Sequence, residues 1–226
     1  GLLWLISGCK KDETTYSLTI TPHYHVGTEE LFLDTIMYRN AAGNDFSVNK
    51  LRYYLSDFRF VTNNGTEASV DDGAQFMDAR EASVINLKEV PPGSYKELRF
   101  LFGIPAGLNV YGNLPNSADN VGMVWPEQMG GGYHFMKFEG YFSSLQGTNG
   151  YAIHVGNNAC SAEISIATPF DISEDGNMTL GFDLNEIMTN PNTFDMDSSN
   201  YTMGIMPAML KISENMQNTF TIEKTP

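Results

Sequence analysis

The residues whose chemistry can be localised in this 226-residue chain are four histidines, two tryptophans and two cysteines. His23 and His25 form an H-x-H pair. In a strand, residues two apart share a face, and two imidazoles so placed can reach one metal ion. The same spacing also arises on ordinary exposed strands. His154 stands alone in an apolar run just before Gly156, where it either faces a site or hydrogen-bonds within a core. His134 carries the weakest signal of the four. Trp125 sits between Val124 and Pro126, ahead of the triplet Gly130, Gly131 and Gly132. Glycines there permit a tight turn, so Trp125 belongs to a constrained loop as a core plug or as part of a site. Cys160 reads as a small buried residue or a soft metal ligand. Most of the twelve methionines are scattered, which suits core filling better than copper ligation.

Several catalytic patterns are missing. The chain has no G-x-S-x-G elbow, no H-E-x-x-H and no paired C-x-x-C. The glycine triplet is followed by strand-like alternation and not by Lys-Ser/Thr, so it is no phosphate loop. Residues 171–176 begin like a calcium loop, but Phe182 stands where the bidentate glutamate belongs. A non-catalytic protein is the expectation. The formal charge of −14, from 13 basic and 27 acidic residues, argues against a nucleic-acid partner.

The elements that must position these residues are strands. Residues 16–25 alternate, with Leu18, Ile20, Pro22 and Tyr24 on one face and Thr19, Thr21, His23 and His25 on the other. Residues 31–39, 46–62, 95–104, 151–156, 160–167 and 178–184 read as further strands, with a short one at 84–87 inside an irregular stretch, 73–90. Turn signals fall at residues 40–44 and at Asn63-Asn64-Gly65. Around the tryptophan, Tyr133, Phe135, Lys137, Glu139 and Tyr141 alternate with His134, Met136, Phe138, Gly140 and Phe142. That strand is apolar on both sides, which places it inside the fold. Residues 105–122 form a long loop leading to Trp125. Residues 185–189 suit one helical turn, and residues 206–217 are the best helix, with Pro207 near its start. The predicted fold is all-β, an antiparallel, Greek-key-like sandwich with long loops and a short C-terminal helix.

The first residues differ from the rest. Leu2 to Ile6 are apolar and too few to span a bilayer. Ile6-Ser7-Gly8-Cys9 resembles the bacterial lipobox, which implies lipidation at Cys9 and an outer-membrane lipoprotein of a Gram-negative bacterium, on the periplasmic or cell-surface side. Residues 1–15 are then a residual signal, lipobox and tether, and residues 16–226 a single domain.

The order of motifs resembles the MbnP family, related to CorA and MopE of methane oxidisers. The matching pieces are His25-Val26-Gly27, LRYYLSDFRF (51–60), LRFLFGIPAGLN (98–109), MVWPEQMGGGYHFMKFEG (123–140) and AIHVG (152–156). The resemblance implies a copper-binding partner of a di-haem cytochrome c peroxidase-like protein. It also implies a loop tryptophan that is oxidised to kynurenine and binds copper with histidines. Carried over, Trp125 is the modifiable tryptophan and His154 the histidine of the H-x-G strand, with His25 and His23 as further metal ligands if the fold brings them close. The chain departs from some copper-binding members at Glu127, where they have a histidine. No C-x-x-C-H haem attachment is present, so the haem belongs to the partner. The competing reading is a surface sandwich that binds a glycan or a protein through exposed Tyr and Phe, without metal.

Overall fold

Wherever one face is buried, the strands keep the two-residue apolar period of the sequence. The protein is described by a computed structural model over residues 14–223, so the lipobox, Cys9 and most of the tether lie outside the described residues. The chain runs through β1 (Tyr16–Val26), β2 (Glu29–Glu30), β3 (Tyr38–Arg39), β4 (Asp45–Phe46), β5 (Lys50–Thr62), β6 (Glu67–Asp78), β7 (Ile85–Val90) and β8 (Gly93–Phe102). A short helix, α1 (Ala118–Gly122), precedes β9 (His134–Ser144), β10 (Gly147–Gly156), β11 (Ala162–Ile166), β12 (Phe170–Ile172) and β13 (Gly176–Asp183). The helix α2 (Met206–Met216) and β14 (Phe220–Glu223) follow.

Two sheets face each other. The smaller has five strands, with β14, β13, β1 and β2 in order and β7 also on β1. Its β1–β13 ladder is parallel, in a sandwich whose other ladders are antiparallel. The larger sheet has nine strands built around β5. Leu51, Tyr53 and Leu55 of β5 are fully buried and point at the smaller sheet, where Tyr53 meets Phe182 at 5.2 Å and Tyr24 at 6.4 Å, ring to ring. Phe58, Phe60, Phe100 and Phe220 extend this aromatic core. Removing so much ring surface from water is the main stabilising term. On α2, Met209, Ile212 and Met216 are buried.

The edge of β5 that positions the site is shared. Lys50–Tyr53 pair with β9, whereas Leu55–Thr62 pair with β8. The two strands separate at Gly103, where an added Cβ would lie 2.8 Å from the Phe135 ring. The chain between them, residues 103–133, folds over the outer face of the sheet at that fork.

Two sequence expectations change. Residues 31–39 are a loop and not a strand, apart from an isolated Leu33–Val48 bridge and the Tyr38–Arg39 pairing with β4. Asp34 takes φ +67, and the Tyr38 hydroxyl accepts from Phe32 N (2.6 Å) and donates to Glu30 O (2.9 Å), which closes the segment on itself. Residues 73–78 continue β6, and β7 is longer than expected, because the ladders with β5 and β1 hold them extended despite weak alternation.

Candidate metal centre

Residues 123–134 form a hairpin. Val124 bridges Tyr133, Trp125 N donates to Gly132 O (2.9 Å), and His134 N donates to Met123 O (2.6 Å). Pairing in this register puts Met123, Trp125 and His134 on one face. The tip contains a 3-10 turn, Glu127–Met129, then Gly130, Gly131 and Gly132 at φ +108, +69 and +83. Side chains there would be strained, and at Gly132 a Cβ would also sit 2.4 Å from Asn109 Oδ1.

Trp125 is only 2% exposed. Its indole lies on Gly156, where a Cβ would come within 2.5 Å of Cε3, and its Nε1–H donates to Met129 O at 3.1 Å. Trp125 lines a surface cleft of about 530 Å³ with Asn109, Tyr111 and Pro126. The glycine of the H-x-G strand is therefore a seat for the tryptophan.

A bulge places the second histidine. Lys137 pairs with His154 and Met136 with Val155, but Gly156 pairs with His134 and not with Phe135. The extra residue reverses the alternation. His134 thus joins Lys137, Glu139 and His154 on the outer face, whereas strict alternation assigns it to the inner face with Met136 and Phe138. The His134 ring centre lies 4.6 Å from that of Trp125 and 5.1 Å from that of His154, both edge-on.

The hydrogen bonds of these imidazoles are one-sided. His134 Nδ1 faces Met123 O (3.0 Å), and His154 Nε2 faces Glu139 Oε1 (2.9 Å). The remaining nitrogens, His134 Nε2 and His154 Nδ1, are buried and have no partner. Buried polar atoms are almost always paired, so two orphans on adjoining rings call for a ligand. Burial, with Lys137 close by, pushes the His134 imidazolium down to about 4, leaving a neutral lone pair at ordinary pH. The hydrogen bond from His154, helped by Lys50, holds the Glu139 carboxyl down at about 2 against the opposing effect of burial. Cys160 is a buried free thiol raised to about 11 by burial, in contact with Met206 Sδ at 3.5 Å.

The sequence-predicted residues divide here. Trp125 and His154 come together, through His134. His23 and His25 do not join them. They point outward from the smaller sheet, on the far side of the core, with His23 Nε2 on Glu30 (2.9 Å) and His25 Nδ1 on Gly27 O (2.7 Å). Glu127 is exposed on the 3-10 turn. Sequence reasoning missed His134 because the bulge that turns it outward has no sequence signature.

Fold and centre together define a β-sandwich carrying a buried tryptophan and two imidazoles under a loop at the fork of a sheet. The chain belongs to the MbnP family, whose profile matches residues 15–207. Among solved structures it is similar to MbnP from Methylosinus trichosporium, with 15% identity and a TM-score of 0.56 over 80% of this chain and 79% of that one. No curated protein matches it.

Proposed function

We propose that this protein is a non-catalytic, extracytoplasmic copper-binding protein, with His134 and His154 as ligands and Trp125 beside them. The observation that carries this reading is the pair of orphaned buried nitrogens on adjoining rings. Their opposite nitrogens are both satisfied by oxygen acceptors, the arrangement typical of metal-bound histidine. No group of three or more His, Cys, Asp or Glu side chains converges among the described residues. Two imidazoles without carboxylates suit a low-coordinate soft ion, Cu(I), better than a hard one. Bound copper would supply a tightly held monovalent centre, shielded from water by the indole and the 105–133 loop.

Trp125 is the proposed site of conversion to kynurenine. Two equivalents of a peroxide-class oxidant would cleave the indole C2–C3 bond, leaving one oxygen on each carbon and releasing two waters. Hydrolysis of the resulting N-formyl group would then release C2 as formate and leave an aromatic amine and a ketone next to His134. The partner that delivers the oxidant would be a di-haem peroxidase-like protein, as the family resemblance implies. Lipidation at Cys9 and an outer-membrane location follow from the lipobox resemblance. The glycan-binding alternative loses support, since Trp125 and most of the Tyr and Phe side chains are buried.

Copper(I) and silver(I) titrations of the purified chain test the reading. Stoichiometric binding is expected. His134→Ala and His154→Ala should each weaken it by more than about 100-fold, beyond what loss of an outer-shell partner costs. Absence of stoichiometric binding by the wild type under both reducing and oxidising conditions overturns it. Intact mass reports the tryptophan separately, as a gain of about 4 Da for one carbon lost and one oxygen gained.

A further inference from the structure

The two imidazoles of the centre are held by unlike partners. His134 faces a neutral backbone carbonyl, Met123 O. His154 faces a carboxylate, and that carboxylate is itself pinned: Glu139 Oε2 lies 2.7 Å from Lys50 Nζ, its direct cross-strand neighbour on β5. The backbone of His154 is clamped as well, since its N–H donates to Thr202 Oγ1 (2.8 Å) and its carbonyl accepts from the same hydroxyl (2.6 Å).

A carboxylate only accepts hydrogen bonds, and a neutral imidazole carries a single N–H. The nitrogen of His154 that faces Glu139 must therefore bear the proton, and Nδ1 must bear the lone pair. Nδ1 is the buried atom with no partner. Lys50 occupies the second carboxylate oxygen, so both oxygens of Glu139 are engaged away from the two orphaned nitrogens. We propose that Glu139, braced by Lys50, is a positioning residue: it fixes His154 as the Nε2–H tautomer and so directs its Nδ1 lone pair into the centre. A hydrogen bond to a carboxylate also makes an imidazole a stronger donor than one to a carbonyl does. His154 is then the stronger of the two ligands and His134 the weaker.

The proposal rests on the metal-binding reading for its purpose, but its first test needs no metal. Nitrogen-15 NMR of the metal-free chain reports each histidine tautomer. Wild type should show His154 as Nε2–H, and Glu139→Ala should lose that preference. Lys50→Met should keep it, because the carboxylate stays within reach. Silver(I) affinity should fall about 10- to 100-fold in Glu139→Ala. If Glu139→Ala does not fold, Glu139→Gln takes its place; its amide oxygen still accepts, so the tautomer should persist while affinity falls less. Wild-type His154 found as Nδ1–H, or a tautomer indifferent to Glu139→Ala, overturns the proposal. The expected tautomers with no silver binding in wild type would instead overturn the metal-binding reading and leave the positioning role intact.

Discussion

His23 and His25 lie 5.7 Å apart, ring centre to ring centre, and His134 and His154 lie 5.1 Å apart, yet the two pairs face different media. The first pair comes from one strand by simple i, i+2 spacing and stands on the outer face of the smaller sheet. There Glu30 and Gly27 O engage it within reach of water. The second pair comes from two strands and needs a bulge to meet, and it is roofed by Trp125. Two of its nitrogens are left buried without partners. Proximity of imidazoles is thus common to both pairs. What separates them is desolvation, which makes the unpaired nitrogens of the buried pair costly.

The largest effect that should distinguish the pairs is on the pH dependence of stability. In the folded chain His134 titrates at about 4, well below its ordinary 6.5, so the unfolded chain binds its proton first as pH falls. The stabilisation is fully present above pH 6.5 and is lost between 6.5 and 4, by at most about 3 kcal/mol. Denaturant titrations of the metal-free protein at a series of pH values should show this slope. His134→Gln should flatten it, and His23→Ala/His25→Ala should not. An unchanged slope in His134→Gln would remove the contrast in burial.

A smaller effect is expected at the seat of the tryptophan. Gly156→Ala places a methyl 2.5 Å from the indole. Overpacking of this kind costs about 1–3 kcal/mol, or a few degrees of Tm for each kcal/mol in a chain of this size. A shift in Trp125 fluorescence should accompany it. A variant with wild-type emission and Tm would show that the indole does not rest on Gly156.

The smallest effect should come from the exposed pair. His23→Ala/His25→Ala is expected to change stability by no more than about 0.5 kcal/mol and to leave silver(I) affinity unaltered, as followed by competition titration. A marked fall in affinity would mean that the outer face takes part in metal binding.

Strands of the core were legible from alternation, as in residues 16–25. The strand expected over 46–62 is broken at residues 47–49 into β4 and β5, and burial on both faces suspends the alternation at residues 53–56. The helix at residues 206–217 was legible from its apolar spacing and from Pro207. Residues 31–39 misled because Leu31, Phe32 and Leu33 suggest a strand, while Phe32 is 59% exposed and Asp34 turns the chain. Of the candidate centre, Trp125 and His154 were singled out by motif, with the triple glycine marking the loop. His134 was visible only as a histidine in an apolar strand, and its alternation pointed to the wrong face.

The sequence by itself determined which residues can do chemistry, which segments alternate, and the family to which the chain belongs. Tertiary structure decided which imidazoles meet. A one-residue bulge opposite Gly156 and the fork between β8 and β9 are properties of strand pairing, set by ladders between segments far apart in the chain. Such pairings move a side chain from one face of a sheet to the other without changing the residue at any position.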